Sequence, residues 1–226
     1  MERKVIDTAD GSKTLFIPEM DEQYHSVNGA ITESNHVFLN AGYNHHQSTT
    51  PVVFEVGFGT GLNALLTAIA AENQKRQTTF ISIEKFPLDQ KLIHQLNYGK
   101  LISEQAELLF KEIHAANWGV KVQISDFFTL LKTEGDLTNF RFEETQKFDI
   151  IYFDAFGPDK QPDMWNPVIF NKIYNVSAED AVFVTYSAKG QIRRQLRDCG
   201  YSMERLPGPP GKRQMLRGTK ISKKND

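Results

Sequence analysis

From residue 51 onward the chain alternates short apolar runs with amphipathic stretches, and this alternation restricts the possible fold more than any other feature. "PVVFEV" reads as a strand and is followed by a glycine-rich turn. "GLNALLTAIAAENQKR" then places Leu62, Leu65, Leu66 and Ile69 at i, i+3, i+4 and i+7, the spacing of one helical face. "TTFISIE" predicts a second strand, residues 89 to 116 two helices, "WGVKVQIS" a third strand and "KFDIIYFD" a fourth. A helix near 164 to 175 precedes a fifth strand, "AVFVTYS", and a basic helix, "KGQIRRQLRD", leads to strands at "YSMERL" and "RQMLRG". Strands interleaved with helices imply a mostly parallel sheet covered on both faces, a doubly wound α/β fold. Only the turn "PGPPGK" separates the last two strands, too short for a parallel crossover, so they should form an antiparallel hairpin. The expectation is a Rossmann-like sheet of seven strands.

Ahead of this core, residues 1 to 50 read as an extension. "KVIDTADGSKTLFIPE" has the Asp10-Gly11 turn of a hairpin, and "NGAITESNHVFLNAG" predicts a helix carrying Ile31, Val37 and Phe38 and closing at Gly42. At 226 residues the chain suits a single domain, 1–226, with its core at 51–226. No stretch approaches the roughly 20 apolar residues that span a bilayer, and the start lacks a secretory h-region. The lone cysteine, Cys199, cannot form an internal disulfide, which fits a reducing, cytoplasmic setting. His45 and His46 are adjacent without ligand spacing, so no metal is expected. Charge is divided unevenly. Residues 185 to 226 carry 11 Lys or Arg against 3 acids, while the chain as a whole has a net charge of −2. That basic third fits a solvated tail or the electrostatic footprint of a polyanion, and charge alone does not choose.

Chemistry concentrates at the strand ends. In "FEVGFGTGLN", Gly57, Gly59 and Gly61 link the first core strand to the first helix, where α/β sheets build a ligand crevice. A dinucleotide fingerprint would need glycine at Leu62, and no Lys-Ser or Lys-Thr of a phosphate loop follows. What remains is acid-x-G-x-G-x-G, which resembles the S-adenosylmethionine loop of the Rossmann-like methyltransferases. Glu55 would be unfavourable beside a pyrophosphate and favourable beside the ammonium and sulfonium of S-adenosylmethionine. Glu84, 23 residues beyond Gly61, stands where an acid takes ribose hydroxyls. Asp126 in "QISDFF" is placed to accept from an adenine amino group, with Phe127 beside the ring. Asp154 closes the fourth strand, where it either stabilises the turn before Gly157-Pro158 or faces the transferred group. A carboxylate there can accept an amine N–H and aim the lone pair.

Together, "EVGFGTGLN" and "DAFGPDKQPDMW", with "YHSVNGAITESNHVFL" and "GPPGKRQML", resemble the tRNA methyltransferase family of wobble-uridine maturation, known as the methyltransferase half of MnmC and as stand-alone MnmD. The resemblance covers roughly residues 14 to 218. It implies methyl transfer from S-adenosylmethionine to the amine of 5-aminomethyl-(2-thio)uridine in tRNA, with Asp154 contacting that amine. It also implies cofactor roles for Glu84 and Asp126. The flavin oxidoreductase of bifunctional members is not expected, since the chain ends at Asp226.

A wobble base lies in a single-stranded loop and can be splayed into a pocket. Trp165 could wall that pocket or stack on a base, with core packing an equal alternative, and Tyr24 and Phe156 are further candidates. Arg193, Arg194 and Arg197 on one helix and Lys212, Arg213 and Arg217 near the last hairpin could bind phosphates of the anticodon stem-loop. A monomer is expected. Two other readings share parts of this evidence: a methyltransferase of a small amine metabolite, which needs no basic surface, and a sensing protein with the fold but no turnover.

Overall fold

The computed structural model describes residues 1–143 and 145–221. Its main sheet has eight strands in the order β10-β11-β9-β8-β4-β5-β7-β6. The strands are β4 (Val52–Val56), β5 (Thr78–Glu84), β6 (Lys121–Ser125), β7 (Phe128–Glu134), β8 (Phe148–Phe153), β9 (Ser177–Thr185), β10 (Tyr201–Pro207) and β11 (Gln214–Lys220). Within it β7, β5, β4, β8 and β9 run parallel. The terminal hairpin is antiparallel, as its short turn requires, with Glu204 opposite Arg217.

The parallel strands are buried on both faces. Ile150, Ile151, Tyr152 and Phe153 of β8 are all fully enclosed. Each such side chain contributes about 1.5–3 kcal/mol relative to exposure, so this run anchors the centre of the sheet. One face is covered by α2 (Leu62–Gln74), by α3 (Gln90–Ile93), α4 (Tyr98–Ile102) and α5 (Glu104–Ala115), and by the N-terminal segment. The other face is covered by α6 (Pro167–Val176) and α7 (Gly190–Cys199). Nearly all of α2 is buried, since it lies between the sheet and α5. Chain order reverses between β4 and β8, and this switch point opens a crevice at the carboxyl ends of those strands.

The expected third strand is corrected. β6 is an antiparallel edge strand, and the inner parallel position belongs to β7, which the sequence reading left unassigned. The reason is Lys132. It sits at a core-facing position of β7 and interrupts the apolar alternation of Phe128 and Leu130. Its Nζ donates to the carbonyls of Ile113 and His114 at the end of α5 (2.8 and 3.1 Å), which allows a lysine to be 1 % exposed. Residues 89 to 116 likewise form three helices rather than two.

The N-terminal extension is a small sheet, β1 (Lys4–Asp7), β2 (Lys13–Ile17) and β3 (Glu22–Gln23), followed by α1 (Ala30–Ser34). The expected helix does not stop there but continues as a π-helical stretch to Tyr43. Gly42 lets that stretch approach the sheet, since a Cβ would stand 3.0 Å from Val184 and 3.1 Å from Tyr152. Among the described residues no helix is long and apolar enough to cross a membrane.

Candidate active site

A cleft of about 340 Å³ lies at the switch point. Its floor is the glycine turn after β4, its sides are the ends of β5, β7 and β8, and the extension closes over it through Tyr24, His25 and Glu33. Gly57 has φ +90°, and a Cβ there would sit 2.8 Å from the Asp154 carbonyl oxygen. Only glycine lets the turn pass the end of β8 this closely. Thr60, at the far end of the turn, is held from both sides. His25 Nε2 lies 2.7 Å from its hydroxyl and His114 Nε2 3.1 Å from its carbonyl oxygen. Burial pushes both imidazoles down to about 4, so they are neutral partners at physiological pH.

Glu84 ends β5 on the cleft wall, as expected. Its carboxylate accepts from Gly59 N–H at 3.0 Å and from Phe86 N–H at 2.8 Å. A donor that a phosphate loop would leave free is therefore already bound to an acid. Five carboxylates line the cleft, on Glu22, Glu33, Glu84, Asp136 and Asp154, against the cations of Arg3, Lys85 and Lys212. Such a lining favours a cationic ligand over a phosphorylated one.

Asp154 lines the cleft directly after β8. Its Oδ2 accepts from Asn63 Nδ2 at 2.9 Å. Burial, with the Glu33 carboxylate nearby, pushes Asp154 up to about 8, while Asn63 and Lys212 act in the opposite direction. Lys212 reaches inward and pairs with Glu33 at 2.7 Å, its Nζ 4.0 Å from the centre of the Tyr186 ring. Tyr24 and Phe156 form the aromatic side of the cleft, meeting edge to face at 5.1 Å. Arg3 Nε donates to the Tyr24 hydroxyl at 3.0 Å and ties the first strand of the extension to this wall.

Several expected positions are corrected. Asp126 and Phe127 form the turn between β6 and β7 at the opposite end of the sheet, where the Phe127 carbonyl accepts from Thr78 N–H at the start of β5. Because β6 is antiparallel, the acid after it points away from the crevice. Asp136, just beyond β7, lines the cleft instead. Its carboxylate pairs with Lys85 at 2.8 Å and accepts from the Thr138 hydroxyl and N–H, which together hold it down at about 2 against the opposing effect of burial.

Glu55 does not line the cleft. It faces inward from β4 and is fully buried. Trp165 is a core residue, 3 % exposed, donating through Nε1 to the Phe156 carbonyl at 2.6 Å and packing edge to face on Phe153. Lys212 belongs to the cleft, whereas Arg197 pairs with Asp198 and Arg217 with Glu204. Among the described residues Arg193, Arg194 and Arg213 have no carboxylate partner.

Asn63, Glu33, His25, Thr60 and Tyr186 were not singled out from the sequence. Asn63 had a usable signal, an amide in the first turn of the helix that opens on the glycine loop. Glu33 had none, because it reaches the cleft only through the fold of the extension.

A doubly wound sheet whose switch-point crevice joins a glycine turn to a wall of carboxylates defines an α/β enzyme for a cationic nucleoside cofactor. Residues 92–221 match the family described as S-adenosyl-L-methionine-dependent methyltransferase. The chain belongs to that family. It is 32% identical over 218 residues to the tRNA 5-methylaminomethyl-2-thiouridine biosynthesis bifunctional protein MnmC of Burkholderia vietnamiensis, covering 91% of this chain and 33% of that protein. Against the protein of the same description from Leptospira borgpetersenii it is 30% identical over 214 residues, 88% of this chain and 32% of the relative. The chain thus spans about a third of the length of these curated relatives. The crystal structure of MNMC2 from Aquifex aeolicus superposes with a TM-score of 0.76 at 25% identity, covering 98% of this chain and 72% of that one.

The cleft's chemistry fits the family's cofactor. Its acids suit a molecule bearing an ammonium and a sulfonium, and the commitment of Gly59 N–H to Glu84 disfavours a pyrophosphate.

Proposed function

We propose that this chain methylates the amine of 5-aminomethyl-(2-thio)uridine at the tRNA wobble position, acting as one domain, as a cytoplasmic monomer and without a metal. The observation that carries this reading is Asp154, a carboxyl at the end of β8 that lines the acid-rich cleft and is held by Asn63. When bound, S-adenosylmethionine would supply a sulfonium-borne methyl group, whose carbon an amine lone pair can attack in line as the neutral thioether leaves. Glu84 and Asp136, on adjacent strand ends, would hold its nucleoside part, and Gly57, Gly59 and Gly61 would let the backbone approach its methionyl part.

Asp154 accepts an N–H of the incoming amine and aims the lone pair into the cleft. Fixing donor and acceptor in line within roughly 3–3.5 Å is worth several kcal/mol of the barrier. Once methylated, the nitrogen carries an extra proton, which Asp154 can take. Tyr24 and Phe156 offer faces and edges for a splayed base, as single-stranded recognition requires. Arg193, Arg194 and Arg213 would meet the phosphates of the anticodon stem-loop.

Nucleoside analysis of aminomethyl-containing tRNA, incubated with the protein and the methyl donor, tests this reading. The expected product is 5-methylaminomethyl-(2-thio)uridine. Methylation of small amines with tRNA left unmodified would place the chain among metabolite methyltransferases instead.

A further inference from the structure

Glu55 is a fully enclosed acid that the cleft does not use. Its Oε2 accepts from Ser82 Oγ at 2.7 Å, but its Oε1 has no hydrogen-bond partner among the described residues. The Asn63 side chain neighbours this carboxyl, and its Oδ1 is also without a partner among the described residues. Asn63 Nδ2 is turned the other way, towards Asp154. Two buried oxygens on neighbouring side chains therefore lack a donor. A carboxylate oxygen and an amide oxygen only accept, so a single proton on Glu55 Oε1 satisfies both.

We propose that Glu55 is a positioning residue, a permanently neutral carboxylic acid that donates to Asn63 Oδ1 and so keeps Asn63 Nδ2 pointed at Asp154. Without that proton the favoured orientation of the amide reverses. An ionised Glu55 would draw Nδ2 to itself and leave Oδ1 facing Asp154, which could then make the contact only by being protonated. Asp154 would lose its capacity to accept from an amine. One proton, placed deep in the sheet, thus decides which of two carboxyls is free to act.

The surroundings favour a proton on Glu55. The groups facing it are Ser82 and Glu84 from β5, Tyr152 and Asp154 from β8, and Asn63 from α2; none is cationic. Burial is the main influence raising its proton affinity; the charges of Asp154 and Glu84 add to it, while the side chains of Ser82 and Asn63 act in the opposite direction. Asp154 differs in facing the open cleft and in having Lys212 nearby. This arrangement replaces the expectation that Glu55 is a counter-charge for the cofactor.

The inference rests on Asp154 being the amine acceptor, so its test has one arm that needs no activity. Infrared difference spectra of the free protein, wild type minus Glu55→Gln at neutral pH, should show loss of the carbonyl stretch of a protonated carboxylic acid. Loss of a carboxylate band instead overturns the proposal, whatever the enzyme's substrate proves to be.

In the second arm, Glu55→Leu removes the donor and should lower methyl transfer about tenfold, moving the acidic limb of kcat/KM upward by about a unit. Glu55→Gln can donate to Asn63 Oδ1 and accept from Ser82, so it should recover most of the rate and return the limb towards wild type. A Gln variant as impaired as the Leu variant, with both folded by circular dichroism, overturns the positioning role. If no tRNA methylation is found at all, the reading of the substrate fails while the infrared arm still decides the state of Glu55.

Discussion

Lys212 and Glu33 meet at 2.7 Å inside the cleft, a contact that joins the turn of the last hairpin to α1 across 179 positions of sequence. The pair sets the field around Asp154, since Glu33 raises its proton affinity and Lys212 lowers it. Lys212→Met should therefore leave Glu33 unbalanced and push Asp154 higher still. Each unit of that rise lowers the ionised fraction at neutral pH about tenfold. The expected result is a fall of kcat/KM of about that size, with the salt dependence of tRNA binding unchanged. A shallower salt slope without a change in the pH profile would make Lys212 a phosphate contact after all.

Asp154 itself predicts the pH profile of the unliganded enzyme. With its proton affinity raised to about 8, mainly by burial, kcat/KM should climb with pH through that region. Asp154→Asn should remove the limb and most of the turnover while leaving cofactor binding by calorimetry nearly intact. The linkage has a definite sign. A carboxyl raised on folding contributes stability that is complete below its unfolded value near 3.8 and is lost as pH rises towards 8. Asp154→Asn should thus raise Tm relative to wild type at pH 8 and change it little at pH 4.

Asp136 and Asp126 separate the two ends of the sheet. Asp136→Ala should weaken cofactor binding about tenfold or more, because it removes an acid from the cleft and frees Lys85. Asp126→Ala should leave the affinity unchanged. Isothermal titration of both variants checks the pair, and equal losses would contradict the cleft as drawn.

Arg193, Arg194 and Arg213 bear on the nucleic-acid interface. Neutralising all three should make log Kd for tRNA less steep in log salt by roughly 2 units, at ~0.7–0.9 per phosphate contact. Arg197 and Arg217, already paired with Asp198 and Glu204, should matter less. An unchanged slope in the triple variant would move the RNA to another face.

Gly57→Ala tests the floor of the cleft. The residue has φ +90° and faces the Asp154 carbonyl at 2.8 Å from a virtual Cβ. The substitution should cost about 1–3 kcal/mol of stability from the strained backbone alone. It should also displace Asp154, so the loss of kcat should exceed what the fall in Tm explains.

Local pattern was enough to place most strands and to locate the crevice. The Ile150–Phe153 run and the leucine face of α2 report their own burial through period and composition, because a segment buried on both faces leaves no room for polar side chains. The short "PGPPGK" turn likewise dictated an antiparallel hairpin by length alone. β7 was illegible for the opposite reason. A lysine at a core position reads as a surface until the carbonyls of Ile113 and His114, brought by α5, are seen to bind it. Missing that strand moved the third acid from Asp136 to Asp126.

The amino-acid sequence by itself determined the α/β class, the glycine turn and the presence of Glu84 and Asp154 at strand ends, since all of these follow from short-range periodicity and from which strand precedes which turn. Only the tertiary structure decided that Glu55 is buried beneath Asn63, that Trp165 belongs to the core and that Lys212 turns inward to Glu33. Those outcomes depend on which side chains arrive from distant parts of the chain. A charged or amide group changes its role with the partners it finds there, and spacing along the sequence carries no record of them.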